Sequence, residues 1–139
     1  MQELGAECTF VCRDFEGHLG MEITALGFEL ILHPADFFDP SNETVPTQDN
    51  QYAEWLGVSE TLDLAQTQEA IFGRYFDWCI IDHYAIGKNW ETAIRKTCQS
   101  VMVIDDLCDR SHDCDLLLNQ NFGKSHEERY RKLIGCRAD

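Results

Sequence analysis

The chain has 139 residues, with 11 lysines and arginines against 25 aspartates and glutamates, and a formal net charge of −14. Its length suits a single domain, and its 44% apolar content argues against wholesale disorder. The negative charge repels phosphate backbones and no apolar run approaches the roughly 18 residues of a membrane span, so we expect neither a nucleic-acid partner nor a membrane span.

The first residues have a pattern typical of the last turn of a helix. Residues from Met1 to Gly5 end on a residue type that often closes helices, and the strand-like residues 8–12 follow at once. At the other end, residues 134–139 follow a predicted helix at the point where a further strand is expected. Both ends predict that the sequence is a piece of a longer chain.

Five short apolar runs rich in strand-forming residues predict five buried β-strands. In chain order they are residues 10–11, 28–32, 78–81, 101–104 and 116–118. Segments with helical periodicity separate these runs or follow the last one, at residues 17–27, 59–74, 89–99 and 125–133. Ser59 stands at a predicted helix N-cap and is followed by the acidic Glu60.

The alternation of strands and helices predicts the fold class. Strands that alternate with helices form parallel sheets whose two faces are both covered. We therefore predict an α/β fold with one parallel sheet, helices on both faces and residues 1–139 in a single domain. Residues 34–50 contain all three prolines and many Asp, Asn and Thr residues, a composition that predicts a loop insertion.

The cysteine content favours a reducing compartment. The count of seven is odd, and the amino terminus lacks the basic and apolar regions of a secretory signal. Three of the cysteines lie inside or beside apolar strand-like runs, where a free thiol behaves as a small hydrophobic group. We therefore expect a reduced, cytoplasmic chain.

Polar residues directly follow three of the predicted strands. In an open parallel sheet, ligands bind outside the carboxyl ends of the strands, so these positions are candidates for a binding site. The candidates, grouped by strand, are Asp82, His83 and Tyr84, then Asp105 and Asp106, then Asn119, Gln120 and Asn121.

Each candidate also has a structural explanation. An Asp after a strand often caps a helix or forms a turn, because its carboxylate accepts free backbone N–H groups. His83 is a candidate general base, a candidate polar contact to substrate and equally a candidate for a hydrogen-bonded structural residue. Asp105 and Asp106 suit a metal, but neighbours on an extended strand point to opposite faces, so at most one faces the cleft.

Cys108, His112 and Cys114 resemble part of a zinc site. Their spacing matches no common ligand pattern, and a fourth ligand is missing unless the distant Cys136 supplies it, so we expect no bound zinc. We expect His18 to lie at a helix start. The sequence contains neither G-x-G-x-x-G nor G-x-x-x-x-G-K-[ST], so dinucleotide-binding and ATP-hydrolysing functions lack their usual support.

Three blocks of the sequence closely resemble one enzyme family. They are residues 55–59 (W-L-G-V-S), residues 78–84 (W-C-I-I-D-H-Y) with Trp90 and Glu91, and residues 103–121, which include I-D-D-L and D-L-L-L-N-Q-N. The family is the UDP-2,4-diacetamido-2,4,6-trideoxy-β-L-altropyranose hydrolases of bacterial pseudaminic acid biosynthesis, which are related to spore-coat polysaccharide proteins of the SpsG type. The resemblance extends over nearly the whole chain.

The resemblance implies a GT-B architecture, in which two Rossmann-like halves enclose a nucleotide-sugar. This chain is similar to the amino-terminal half without its first strand. Members of the family release UDP by a metal-independent attack of water at C1 and need no cofactor.

The resemblance also implies where the general base of the reaction stands. Members of the family begin with a strand and a G-x-G-H-x-x-R segment whose histidine is the proposed general base. We expect this histidine to lie upstream of Met1, because Gly17-His18 belongs to a later stretch of the family pattern. Since neither that segment nor the UDP-binding carboxyl-terminal half is among these 139 residues, we expect no turnover by this chain alone.

Hydrolysis at C1 requires a water-activating base, close polar contacts and a stabilised diphosphate leaving group. Under the resemblance, no residue of this chain is assigned a catalytic role. The expected substrate-binding residues are His83 and Tyr84 as sugar contacts, Asp82 and Asp105 as orienting groups, and Asn119 with Gln120 at the interdomain floor. Two alternatives remain open: a non-catalytic nucleotide-sugar-binding domain, and a related UDP-sugar transferase or epimerase.

Overall fold

The predicted alternation of strands and helices is confirmed in the computed structural model, which describes residues 5–35, 52–121 and 126–134. The strands are β1 (Thr9–Arg13), β2 (Glu29–His33), β3 (Phe76–Ile81), β4 (Cys98–Ile104) and β5 (Leu116–Leu118). The helices are α1 (Gly20–Ala25), α2 (Ala53–Leu56), α3 (Glu60–Ala70), α4 (Lys88–Ile94) and α5 (His126–Tyr130), with a 3-10 turn at Arg95–Thr97.

The described strands form two separate parallel sheets, so the prediction of one sheet is wrong for this part of the chain. β1 pairs with β2, with Thr9 opposite Glu29 and Arg13 opposite His33. The second sheet has the order β3-β4-β5. Every strand pair in both sheets is parallel, so the predicted α/β class with parallel pairing is confirmed.

The helices are shorter than the periodicity predicts. α3 begins after Ser59, whose hydroxyl accepts a 3.2 Å hydrogen bond from the Leu62 N–H, so the predicted N-cap is confirmed. The predicted helix at 89–99 is wrong at its end, because the backbone enters β4 at Cys98, which pairs with Phe76. α2 has only four residues, too few to show a helical period in the sequence.

The core lies around β4 and the helices α3 and α4. Val101 and Val103 of β4 are fully buried, and they join a cluster that includes Ile71, Trp90 and Ile94. Val101 and Val103 point to the same face of the sheet, because every second side chain of a strand does so.

One face of β3 is left open among the described residues. Trp78 and Ile80 on this strand are 49% exposed, and Leu116 and Leu118 of β5 are also exposed. The predictions that all five strands are buried and that helices cover both faces are therefore wrong at β3 and β5. The prediction of burial is also wrong at β1 and β2, where Phe10, Val11 and Leu32 are exposed.

Some sequence predictions fall on residues outside the described ranges. These are the helix end at residues 1–4, most of the loop at 34–50 and the chain end at 135–139. Met1 is among them, so the placement of a general-base histidine upstream of Met1 stays a prediction from the resemblance.

Among the helices that the structure does describe, none is long and apolar enough to cross a membrane.

Candidate functional site

A groove of about 420 Å³ opens between β1 and β3. Residues of these two strands line it, and α3 and α4 contribute further lining residues. Six of its polar lining residues belong to the carboxyl ends of the strands or to α3: Arg13, His33, Asp63, Thr67, Asp82 and His83. The groove therefore lies where the general rule for open parallel sheets places a ligand.

A buried ion pair joins the end of β1 to the first turn of α3. The Arg13 guanidinium lies 2.7 Å from the Asp63 carboxylate, and the two side chains are 6% and 12% exposed. The second carboxylate oxygen of Asp63 accepts a 3.0 Å hydrogen bond from the Trp90 indole N–H. Arg13 also donates to the Pro34 carbonyl and to the Gln66 amide oxygen. One charged pair thus holds β1, α3 and α4 around the groove.

His33 ends β2 beside this ion pair. The side chain is buried, and its Nε2 lies 3.5 Å from the Thr67 hydroxyl. Burial lowers the pKa of His33, and the positive charge of Arg13 lowers it further against the opposing effect of Asp63. The ring is therefore neutral at neutral pH and adds no positive charge to the groove.

We expect the free energy of unfolding to fall as pH is lowered from 7.5 to 5.5. The pKa of His33 lies below its unfolded value of about 6.5, so in this window the unfolded chain binds a proton that the folded chain does not. The stabilisation is fully present above the unfolded pKa and is lost toward the folded pKa, by at most about 1.4 kcal/mol per pH unit for His33 alone. His83, whose pKa is also lowered, adds to the slope in the same direction. Urea denaturation at three pH values measures the slope.

His33→Asn should reduce this pH slope, and His18→Asn makes the same substitution at a second histidine. His18 serves as the control because it lies at the start of α1, where its Nδ1 accepts from the Gly20 N–H at 3.0 Å. This placement confirms the helix-start position expected for His18. A His33→Asn protein with the wild-type slope would contradict the assignment.

The predicted residues Asp82 and His83 both line the groove just beyond β3. His83 Nδ1 accepts a 3.0 Å hydrogen bond from the Ala85 N–H, which leaves the ring proton on Nε2. Burial lowers the pKa of His83, against a hydrogen bond to the Trp55 backbone that raises it. His83 is therefore a neutral donor and has no free lone pair for a general base, while the neighbouring Asp82 is exposed.

Tyr84 lies beside the groove in a cluster of aromatic rings. Its ring centroid is 5.4 Å from that of Tyr52 and 5.8 Å from that of Trp55. The hydroxyl donates to Asp106 Oδ1 at 2.9 Å, and this bond raises the pKa of Tyr84. Asp106 Oδ2 accepts from the Asn121 amide at 3.0 Å, so the polar tips of β3, β4 and β5 meet at this carboxylate.

Asp105 points into the protein, whereas Asp106 reaches the strand tips. Asp105 is 1% exposed, and its Oδ2 accepts from the Tyr130 hydroxyl at 2.8 Å and from the Cys108 N–H at 3.0 Å. Burial acts to raise the pKa of Asp105, but these hydrogen bonds and the charge of Arg110 at 2.7 Å lower it overall. The expectation that at most one of the two neighbours faces the cleft agrees with this arrangement.

Asn119 and Gln120 lie at the end of β5, away from the groove lining. The Asn119 amide donates to the Tyr130 hydroxyl at 3.4 Å, and its oxygen accepts from the Asn121 N–H at 2.7 Å. Gln120 is exposed. Asn119 thus contacts the same Tyr130 hydroxyl that donates to Asp105. The role of Gln120 stays a prediction.

The cysteine and histidine positions considered for zinc have different surroundings. His112 is fully buried with its Nδ1 2.6 Å from Glu91 Oε1, and Cys114 is 1% exposed. Within residues 5–35, 52–121 and 126–134, no group of three or more His, Cys, Asp or Glu residues is placed to hold a metal ion. Cys136 lies outside these ranges.

The sequence reasoning missed part of the groove lining, including Arg13, His33 and Asp63. Arg13 and His33 each end a strand, so the rule that selected Asp82 applies to them as well. Asp63 lies inside a helix, and no sequence signal marks it.

Comparison of the chain with protein-family models and with curated proteins finds no match.

Proposed function

We propose that this chain supplies the sugar-binding part of a UDP-sugar hydrolase that acts on a 2,4-diacetamido-2,4,6-trideoxy sugar in pseudaminic acid biosynthesis. The fold would correspond to the Rossmann-like amino-terminal half of a GT-B enzyme. The observation that carries the proposal is the placement of Asp82, His83 and Trp55 together on the lining of one groove, at the carboxyl end of a parallel strand. The resemblance of residues 55–59, 78–84 and 103–121 supports the choice of substrate.

The side chains of the groove complement an acetamido sugar. The exposed Asp82 carboxylate is an acceptor for hydroxyl and amide N–H groups. The hydrogen bonds of His83 to the Ala85 N–H and to the Trp55 backbone hold its ring in place on the groove lining. Trp55 is 57% exposed and offers an apolar ring face to the C–H groups of a sugar ring. Asp82 and Trp55 together match the polar and the apolar parts of the ligand.

The reaction breaks the bond between C1 and the oxygen of UDP, and a water oxygen forms the new bond to C1. The positive charge that develops at the sugar ring favours a nearby carboxylate, a role that suits Asp82. The water proton needs a base, and His83 is unsuited because its Nδ1 lone pair already accepts from the Ala85 N–H. Under the proposal the base comes from the G-x-G-H-x-x-R type of segment, and this chain binds and orients the sugar.

Isothermal titration calorimetry with the UDP-2,4-diacetamido sugar and with UDP alone tests the proposal. The sugar nucleotide should bind more tightly than UDP, because the groove contacts the sugar. Asp82→Asn should weaken sugar-nucleotide binding by roughly 5- to 150-fold, which corresponds to one lost charge-assisted hydrogen bond of about 1–3 kcal/mol. Product analysis of any turnover distinguishes hydrolysis from transfer or epimerisation.

Asp77→Asn is the matched control for this experiment. It makes the same change of charge on β3 at an exposed carboxylate that does not line the groove. Its affinity for the sugar nucleotide should equal that of the wild type. Equal binding of UDP and the sugar nucleotide, or wild-type affinity in Asp82→Asn, would reject the proposed sugar site.

A further inference from the structure

The turn after β1 places an aromatic residue on the groove lining. Phe15 follows the end of β1 closely and lines the groove. Its N–H donates to the Arg13 carbonyl at 2.8 Å, and its carbonyl accepts from the His18 N–H at 3.1 Å. Phe15 is 39% exposed. The backbone of this residue is therefore held in place, while part of its surface is open to a ligand.

The ring of Phe15 packs against Gly57, directly after α2. A Cβ atom at position 57 would lie 2.5 Å from Phe15 Cζ and 3.0 Å from Phe15 Cε1, so a larger residue would displace the ring. Trp55 and Leu56, the two residues before Gly57, line the same groove as Phe15. The contact therefore holds the Phe15 ring beside the short helix that carries Trp55.

The backbone conformation of Gly57 does not by itself account for this contact. Gly57 has a φ of +76° and ends α2 in the left-handed conformation, where glycine is the usual residue. Gly73 has the same φ of +76°, but no atom of the described residues would lie within 4 Å of a Cβ atom there. Position 57, unlike position 73, thus combines a helix end with the close approach of an aromatic ring.

The apolar side chains at this part of the groove match one substituent of the proposed sugar. Phe15 and Leu56 line the groove with side chains that have no polar atoms. The acetamido groups of the sugar contain N–H and C=O groups, whereas its C6 substituent is a methyl group. Burial of a methyl group is favourable, and burial of a hydroxyl without a hydrogen-bond partner is costly. These side chains therefore favour a C6 methyl group over a C6 hydroxymethyl group.

We propose that Phe15 is a specificity-determining residue that contacts the C6 methyl group of the sugar, and that Gly57 positions its ring. The inference rests on the proposed sugar-binding function and adds to it a reason for the preference for a 6-deoxy sugar. The contacts proposed for Asp82 and Trp55 involve polar groups and ring C–H groups, which a 6-hydroxy sugar also has. An apolar site discriminates against an added hydroxyl by up to about 100-fold.

Calorimetry with two ligands tests the role of Phe15: the UDP-2,4-diacetamido-2,4,6-trideoxy sugar and its analogue with a hydroxyl at C6. We expect the wild type to bind the 6-deoxy ligand roughly 10- to 100-fold more tightly. Phe15→Ala should lose most of this preference, because water then reaches the C6 substituent in both complexes. Phe15→Leu keeps an apolar side chain and should retain part of it. Phe72→Ala is the matched control, since Phe72 is 89% exposed and does not line the groove.

Gly57→Ala tests the positioning of the ring separately. The added methyl group displaces the far end of the Phe15 side chain, so the preference should fall toward that of Phe15→Ala. Gly73→Ala places an alanine at the same φ without displacing a neighbour among the described residues, and it should retain the wild-type preference. Arg13 Cδ lies 3.3 Å from the same Cβ position, but a shift of Arg13 changes the affinity for both ligands and not their ratio.

The outcomes separate this inference from the function on which it rests. Absence of binding of either ligand to the wild type would reject the sugar site itself, and the role of Phe15 with it. Equal binding of the two ligands, or an undiminished preference in Phe15→Ala, would overturn the role of Phe15 while the sugar site stands. An undiminished preference in Gly57→Ala, or an equal loss in Gly73→Ala, would overturn the positioning role of Gly57.

Discussion

Asp63→Ala should destabilise the protein by about 3–5 kcal/mol, a large part of the roughly 5–15 kcal/mol by which domains are stable. The substitution leaves the buried Arg13 guanidinium without its counter-charge and the Trp90 indole N–H without its acceptor. Uncompensated buried charges are far more costly than the net benefit of the original pair. Urea denaturation followed by tryptophan fluorescence measures the change.

Two further variants separate the unpaired charge from other effects. Asp77→Ala removes an exposed carboxylate from β3 and should change stability by no more than about 0.5 kcal/mol. Replacing Arg13 and Asp63 together by methionine and leucine should recover much of the stability, because no charge is then left buried. An Asp63→Ala protein within about 1 kcal/mol of the wild type, the effect of an ordinary substitution, would show that the pair is not essential to the fold.

The fold class could be predicted from local patterns, but the number of sheets could not. Short apolar runs and helical periods are local properties, so the α/β alternation and the strand-forming segments were identifiable. Which strand lies beside which is a long-range property, and the gap between β1 and β3 has no signature in either strand. The start of β4 at Cys98 was unpredictable for the same reason. Residues 89–99 have a helical period, but the long-range pairing of Cys98 with Phe76 makes the end of this segment a strand.

The candidate site was predictable in position and less so in orientation. The strand-end rule selected both Asp82 and Asp105, yet Asp82 is exposed on the groove lining and Asp105 is buried beneath Tyr130 and Cys108. The rule gives the end of the sheet and leaves open which way a side chain turns. Asp63 required the tertiary structure, because its partner Arg13 is 50 residues away in the sequence.

Glu91→Ala should also be strongly destabilising, by about 3–5 kcal/mol, although Glu91 lies in one of the blocks that carry the family resemblance. Glu91 is fully buried. Its Oε1 lies 2.6 Å from His112 Nδ1, and its Oε2 accepts from the Asp113 N–H. Removal of the carboxylate leaves two donors without an acceptor in a region that water does not reach.

His112 Nε2 has no hydrogen-bond partner among the described residues. The contact with Glu91 is therefore the hydrogen bond of the His112 ring that Glu91→Ala removes. Glu91→Gln should cost less than Glu91→Ala, since the amide oxygen still accepts one of the two hydrogen bonds. Glu69→Ala, at an exposed position of α3, is the control and should remain within about 0.5 kcal/mol of the wild type. Wild-type stability of Glu91→Ala with weakened binding of the UDP-sugar would instead assign Glu91 a role in the ligand site. Loss of stability in Glu91→Ala, with wild-type ligand affinity in folded Glu91→Gln, would establish that Glu91 acts as a core residue.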